Sequence, residues 1–404
     1  MWKAARPDPD PHPAANLLPV SSGIKGQPIT TPNSLTGQPL PGLALAEREP
    51  DQLALLDGGE EAYPAMIAAI DGARESVYLE VYLFRLDSTG RRFLAALAAA
   101  AARKLRVEVL VDGWGSSSDC GEIVATLGAA GAQARVHRPV GVVFAGLFGR
   151  NHRKILLIDS ALAFVGGINI GDEYGGESNR PGWADLAAQV RGPAAQDLAL
   201  ELRGGRPLAR GNVQIRLSGV GTGRRLRKRY LKAIRGARRE VLLAHGYFLP
   251  DRELLRALTS AAGRGVQVTA LLAGRSDVPF VPLATRHVHR RLLQGGVKIF
   301  EWSQTVLHAK AAVIDGQKLL VGSFNLDALS LSNMETLLEA DDAALAGQGA
   351  RWMRGHLALA RAVSFADCTR PGLRGFLEGA IGFLFAQLGE WVEKLLAQRG
   401  RPQR

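Results

Sequence analysis

Two segments of the sequence carry the same five residue types at the same spacing. They cover residues 151–169 (NHRKILLIDSALAFVGGIN) and residues 307–325 (LHAKAAVIDGQKLLVGSFN). The matched positions are His152, Lys154, Asp159, Gly166 and Asn169 in the first segment and His308, Lys310, Asp315, Gly322 and Asn325 in the second. At roughly one chance in twenty per position, two accidental copies in one chain are very improbable. We therefore interpret the pair as the active site of the protein.

Two imidazoles, two ammonium groups and two amides suit one substrate class, a phosphate diester. One neutral His can attack phosphorus and form a phosphoenzyme. The other, protonated, can donate to the leaving oxygen and later accept a proton from the incoming alcohol or water. The two Lys residues, with Asn169 and Asn325 as phosphate-binding amides, would hold the non-bridging oxygens. We expect no metal and no other cofactor, because no Cys, His or Asp spacing typical of a metal site occurs.

The elements that must position these residues are short buried strands. An apolar run separates Lys from Asp in each motif, at residues 155–158 and 311–314. Residues two apart in a strand share a face, so the His and Lys of each motif should project together. Asp159 and Asp315 belong to the candidate catalytic set, but their opposite parity suits bracing a turn. The glycines at 166–167 and 322 would let the backbone approach a ligand closely.

The paired segments resemble the HxKxxxxD motifs of the phospholipase D superfamily, and their flanks resemble its bacterial cardiolipin synthase branch. The supporting flanks are residues 78–82 (YLEVY), 111–115 (VDGWG), 166–171 (GGINIG), 247–250 (YFLP) and 325–335. The resemblance covers about residues 53–368. It implies phosphatidyl transfer between phospholipids through a phosphohistidine, with His152 attacking and His308 protonating the departing alcohol. It also implies that Asp185 and Glu335 orient the imidazoles. The sequence leaves open which acid holds which His.

Other functions share these residues. A phospholipase D would use water as the acceptor, and it differs from a transferase in water exclusion and in its acceptor pocket. A superfamily nuclease would suit the basic charge of the chain. A membrane-binding scaffold without catalysis is a further alternative, which the completeness of both motifs disfavours.

The order of predicted elements repeats within the chain. Residues 69–74 (AIDGAR) match residues 233–238 (AIRGAR) at an offset of 164. Each half reads as helix, strand, helix and strand before its motif, an order typical of a helix-covered sheet. The sequence therefore predicts an internally duplicated, phospholipase D-like α/β fold. Two mixed or parallel sheets flanked by helices should surround a pseudo-two-fold axis, where the two His-Lys strands meet at one phosphate.

Four segments are predicted. Residues 1–48 hold nine of the twenty prolines and are expected to form a disordered arm. Residues 49–217 and 218–368 should form the two phospholipase D-like halves. Residues 369–404 should form an amphipathic helix with a basic tail.

The net charge of +12 favours partners that carry phosphate. Apolar stretches at residues 140–148 and 278–283 and the amphipathic terminal helix favour lipid over nucleic acid. We expect phospholipid substrates and an anionic phospholipid membrane as partners. No apolar run is long enough to span a bilayer, so the expected location is peripheral, on the cytoplasmic side of the cell membrane.

Overall fold

The computed structural model of the protein describes residues 50–139, 148–176, 181–207, 211–275 and 281–368. The predicted Pro-rich arm, the predicted C-terminal helix with its tail, and most of the apolar stretch at 140–148 lie outside the described residues.

The first half begins with an edge strand and alternates strands with helices. Its elements are β1 (Gln52–Asp57), α1 (Gly58–Asp71), β2 (Ser76–Val81), α2 (Ser88–Ala102), β3 (Arg106–Asp112), α3 (Cys120–Ala129), β4 (Gln133–His137), β5 (Lys154–Ile158), β6 (Leu162–Gly166), α4 (Asp172–Gly175), β7 (Leu186–Arg191) and α5 (Pro193–Leu202).

The second half repeats this order. Its elements are β8 (Val213–Leu217), α6 (Arg224–Gly236), β9 (Glu240–His245), α7 (Arg252–Gly263), β10 (Gln267–Ala273), α8 (Val281–Gln294), β11 (Lys298–Trp302), β12 (Lys310–Ile314), β13 (Lys318–Gly322), β14 (Thr336–Asp341), α9 (Ala343–Leu359) and β15 (Arg361–Ala362), followed by a 3-10 turn at Ala366–Cys368.

The strands form two mixed sheets with the same central order. The first sheet runs β1-β7-β6-β5-β2-β3-β4, and the second runs β15-β11-β10-β9-β12-β13-β14-β8. The strands that helices connect are parallel, namely β2 with β3 and β4, and β9 with β10 and β11. Motif strands β5 and β12 pair antiparallel with β2 and β9. The predicted duplicated α/β fold with mixed sheets is confirmed.

Both motif strands are completely buried, because each sheet is covered on two sides. One side of each sheet packs on its own helices, with cores around Ile70 and Phe93 in the first half and around Leu258 in the second. The other sides share a third core, in which Ile155 of β5 and Val313 of β12 belong to one apolar cluster. Burial of this shared core fastens the halves together and fixes the ends of β5 and β12 relative to each other.

One strand joins the sheet of the other half. β8 lies within residues 49–217, the range predicted for the first half, but it pairs with β14 through Ile215 and Leu338. By sheet membership β8 therefore goes with the second half, one strand before the predicted boundary.

Within the ranges that the structure describes, no helix has the length and apolar character needed to cross a bilayer.

Candidate active site

The start of each motif is held by a segment of the opposite half. The backbone N–H of His152 donates to the carbonyl of Met334 over 2.9 Å. The N–H of His308 donates to the carbonyl of Ala184 over 2.8 Å. These contacts belong to short parallel bridges between the halves. Both histidines therefore lie at the junction of the two halves, just before the strands β5 and β12.

The acids that contact the imidazoles also come from the opposite half. Nδ1 of His152 lies 3.0 Å from Oε2 of Glu335, and Nδ1 of His308 lies 2.6 Å from Oδ2 of Asp185. Both acids are fully buried. An acid at Nδ1 fixes the ring and leaves Nε2 directed away from the acid, where it can attack or donate. The sequence left open which acid contacts which His. In the structure, each acid contacts the His of the motif in the other half.

The residue after each motif glycine contacts one of the two acids. A Cβ on Gly167 would lie 2.3 Å from Oδ1 of Asp185, so only glycine allows that carboxylate to take its place. The matching residue in the second half is Ser323, whose hydroxyl donates to Oε2 of Glu335 over 2.5 Å. The prediction that Gly167 admits a ligand is therefore wrong, because the Asp185 carboxylate fills this space.

The motif lysines are buried and tied to their own histidines. Nζ of Lys154 donates to the backbone carbonyl of His152 over 2.8 Å, and Lys310 donates in the same way to the carbonyl of His308. Each ammonium also faces an aromatic ring, Tyr82 at 5.2 Å for Lys154 and Tyr247 at 5.5 Å for Lys310. Such contacts stabilise a cation removed from water. The prediction that His and Lys lie together in each motif is confirmed.

Charges from both halves act on one another at this junction. Burial, helped by Lys154 and Lys310, holds the pKa of His152 well below its usual range. Burial and Lys310 lower the pKa of His308 to about 4, although Asp185 acts in the opposite sense. Burial raises the pKa of Glu335 to about 8, although Lys154 and Lys310 oppose this rise. A bound anionic phosphate would favour protonation of an imidazole, while burial keeps the other imidazole neutral.

Aromatic rings line both imidazoles. Tyr82 lies edge-on to His152 at 5.1 Å between ring centroids. Around His308 the rings are Tyr174 at 5.2 Å, Trp183 at 5.8 Å and Tyr247 at 5.9 Å. Sequence reasoning assigned these residues no role, although Tyr82 and Tyr247 occur in the flanks that carried the resemblance. Their packing restricts rotation of the imidazoles, which complements the acids.

The two motif asparagines differ in their contacts. Nδ2 of Asn169 donates to the Tyr174 hydroxyl over 2.6 Å, and its Oδ1 accepts from the N–H of Leu83 over 3.2 Å. Oδ1 of Asn325 is buried and has no hydrogen-bond partner within the described ranges. Asn169 thus shapes the loop beside His308, while phosphate contact by either amide stays a prediction.

Asp159 and Asp315 lie at the far ends of β5 and β12. Five strand residues separate each from its His-Lys end by about 16 Å. The Asp159 carboxylate accepts from the backbone N–H groups of residues 74–76, and Asp315 accepts from those of residues 238–240. These hydrogen bonds agree with the expected role in bracing the chain, while a part for either residue in catalysis stays a prediction.

Metal-ligating side chains do not gather in the described ranges, where no group of three or more His, Cys, Asp or Glu residues is placed to hold an ion.

Two sheets of one chain that bring a pair of HxKxxxxD motifs to a common junction define a phospholipase D-like protein. A family model described as "Cardiolipin synthase, PLD-like domain" matches residues 66–179 and 230–357, one range in each half. The chain belongs to this family, so the predicted superfamily and branch are confirmed.

Relatives and a solved structure agree with this membership. Cardiolipin synthase B of Escherichia coli K12 is 37% identical in an alignment of 313 residues that covers 71% of this chain and 76% of that protein. Cardiolipin synthase of Geobacillus kaustophilus is 34% identical in an alignment of 303 residues that covers 69% of this chain and 60% of that protein. The crystal structure of phosphatidylserine synthase from Haemophilus influenzae Rd KW20 covers 85% of this chain and 94% of its own, with a TM-score of 0.67. At 15% identity the latter shows a shared fold.

Proposed function

We propose that the protein is a phosphatidyltransferase that moves a phosphatidyl group from one phospholipid to another, as a cardiolipin synthase does. Relatives of that name at 34–37% identity support the reaction class. The observation that carries the chemistry is the pair of acid-held imidazoles, His152 with Glu335 and His308 with Asp185. Two such imidazoles at one junction supply the nucleophile and the acid that a double displacement at phosphorus needs.

In the first step, Nε2 of His152 attacks the phosphorus of phosphatidylglycerol. The P–N bond forms while the bond from phosphorus to the glycerol oxygen breaks, and His308 gives its proton to that oxygen. Lys154 and Lys310 would stabilise the charge on the non-bridging oxygens.

Two observations favour this division of roles. The His152 side chain is 12% exposed, against 5% for His308, so it is the more accessible nucleophile. The short contact between His308 and Asp185 favours the protonated imidazole that an acid must be.

In the second step, the hydroxyl of a second phosphatidylglycerol attacks the phosphohistidine. His308 accepts the hydroxyl proton, the new P–O bond forms, and the P–N bond breaks. Two phosphatidylglycerols thus give one cardiolipin and one glycerol, and both histidines return to their starting states. Water in place of the second lipid would give phosphatidic acid instead.

The substrates place the protein at a bilayer. The net charge of +12 supports association with an anionic surface, and we propose a peripheral location at the cytoplasmic face of the cell membrane. Cosedimentation with phosphatidylglycerol vesicles, but not with phosphatidylcholine vesicles, is the expected result.

Vesicles of labelled phosphatidylglycerol test the reaction. Cardiolipin and glycerol in equal amounts are the expected products, whereas phosphatidic acid as the main product would replace transfer by hydrolysis. His152→Ala and His308→Ala should each abolish turnover while melting like the wild type. His356→Gln on α9, outside the site, is the matched control and should keep activity. Near-wild-type turnover in either motif variant would remove that residue from the mechanism.

A further inference from the structure

The residue opposite each motif lysine differs between the halves. In the sheet register, Lys154 of β5 lies opposite Val81 of β2, whereas Lys310 of β12 lies opposite His245 of β9. The helix behind differs in the same way. At the offset of 164 that relates the halves, Met66 of α1 corresponds to Tyr230 of α6. An apolar pair in the first half is thus replaced by a polar pair in the second.

Burial of the polar pair costs folding free energy. His245 and Tyr230 are both 0% exposed. Nδ1 and Nε2 of His245 and the Tyr230 hydroxyl have no hydrogen-bond partner in the part of the chain that the structure describes. A buried polar atom left without a partner is among the larger costs that a fold can carry. Because Val81 and Met66 fill the same places in the first half, the fold itself does not require this pair.

The pair lies next to the second motif. Opposed residues of antiparallel strands share a face, so the His245 ring and the Lys310 side chain project to the same side of the sheet. The rings of His245 and Tyr230 are 5.7 Å apart, and Tyr230 interacts with the charge of Glu335. The titratable groups that interact with the Lys310 ammonium from the surrounding elements are His152, Lys154, His245, His308, Asp327 and Glu335.

We propose that His245 and Tyr230 form a buried site for ordered water behind Lys310. The water would bridge the ring nitrogens and the hydroxyl and would solvate the ammonium. The two residues would then be positioning residues that help Lys310 stay charged while it holds the phosphate. This role rests on the proposed function and makes the two motif lysines inequivalent, since Lys154 has only the apolar pair Val81 and Met66 at these positions.

A high-resolution crystal structure of the wild-type protein tests the water site independently of any activity measurement. Ordered water within hydrogen-bond distance of a His245 ring nitrogen and of the Tyr230 hydroxyl is expected. A dry contact between the two rings would overturn the proposal, whatever reaction the enzyme proves to catalyse.

The double variant His245→Val, Tyr230→Phe tests the role. It gives the second half the apolar character of the first and should melt at or above the wild-type temperature. We expect kcat near neutral pH to fall about five- to tenfold with little change in KM. The alkaline limb of the rate profile should move down by about one pH unit, because a drier ammonium loses its proton more readily.

Controls separate this role from core packing. Tyr230→Phe alone removes a single hydroxyl and should show part of the effect if the double variant folds poorly. Leu320→Met changes the same apolar core without a polar atom and should leave the profile in place. If the double variant melts higher than the wild type and the pH profile of its rate is unchanged, His245 and Tyr230 only fill the core and the proposal is wrong. If wild-type assays gave no cardiolipin, the proposed function would be wrong. The water site would then still be tested by the crystal structure alone.

Discussion

His152 and Glu335 lie 183 residues apart in the chain and 3.0 Å apart in space, from Nδ1 to Oε2. The contact crosses from the first half to the second, and His308 makes the reciprocal contact with Asp185 across 123 residues. Neither half therefore contains a complete imidazole–acid pair, since the acid that contacts each imidazole comes from the other half. Each imidazole–acid pair is therefore a composite of both halves.

The crossed acids should be essential for turnover and not for substrate binding. Glu335→Gln and Asp185→Asn keep the shape of the side chain but cannot hold an imidazolium or the correct tautomer. By analogy with acid-held imidazoles in hydrolases, kcat should fall by about 100-fold or more with little change in KM. Steady-state rates on phosphatidylglycerol vesicles measure this. Asp341→Asn on β14 is the control, because this carboxylate is 58% exposed and should matter little. Equal rates in wild type and both amide variants would contradict the role of the acids.

The two histidines should respond differently to the leaving group. A phosphatidyl ester of nitrophenol releases an alcohol that needs no proton donor. His308→Ala should therefore release nitrophenol in the first turnover at close to the wild-type rate, while His152→Ala should not. Label from the phosphatidyl group should also remain on His308→Ala after denaturation. If His152→Ala released nitrophenol and His308→Ala did not, the roles of nucleophile and acid would have to be exchanged.

A single methyl group at Gly167 should disable the site. Its Cβ would meet the Asp185 carboxylate at 2.3 Å and push it from His308. We expect Gly167→Ala to lower kcat by at least about tenfold, as misplacement of a positioning group does. Gly128→Ala on α3 is the matched control, because a Cβ there meets no atom within 4 Å. It should gain up to about 1 kcal/mol of stability from helix propensity and keep full activity. Similar kinetics for the two variants would show that Asp185 tolerates displacement.

Asp159 and Asp315 should matter for stability and not for catalysis. Burial by itself raises the pKa of each carboxyl, but the backbone N–H donors lower it overall. Alanine at Asp315 should cost about 1–2 kcal/mol of unfolding free energy, because three backbone N–H groups lose their acceptor. Urea unfolding measures the loss. Asp315→Asn keeps an acceptor oxygen and tolerates the left-handed backbone, φ 54°, so it should lose less. A selective loss of kcat in a fully folded Asp315→Ala protein would show that this residue contributes to catalysis.

Acid should destabilise the protein through its buried histidines. Burial lowers the pKa of His245 to about 3, below the ordinary value of 6.5. The unfolded chain therefore takes up this proton first as the pH falls, and stability is lost between about pH 6.5 and pH 3. The loss is at most about 1.4 kcal/mol per pH unit for this group.

Comparison with a variant isolates the His245 contribution. His308 acts in the same direction, whereas Glu335, with its pKa raised to about 8, loses its stabilising effect as the pH rises. The urea midpoint is measured near pH 7 and near pH 4 for both proteins. Its decrease between these two pH values should be smaller for His245→Val than for the wild type. Parallel losses in both proteins would show that His245 is not buried in its neutral form.

Local pattern in the sequence determined much of this protein. The repeated spacing of His152, Lys154, His308 and Lys310 indicated one site from two motifs, and the offset between AIDGAR and AIRGAR indicated the duplicated fold. Apolar runs after each Lys predicted β5 and β12, because a strand buried on both faces needs continuous apolar side chains. The alternation of side chains along a strand predicted that Asp159 and Asp315 lie on the opposite parity to the His and Lys of their motifs.

Only the tertiary structure decided the partners. Strand periodicity says which face a residue takes, but it carries no information about which residue meets it from 183 positions away. The crossing of Glu335 to His152, the room that Gly167 leaves for Asp185, and the polar residue opposite Lys310 all arise where separate segments meet. Such contacts are set by the packing of two sheets on a shared core, and packing depends on shape and volume summed over the whole chain.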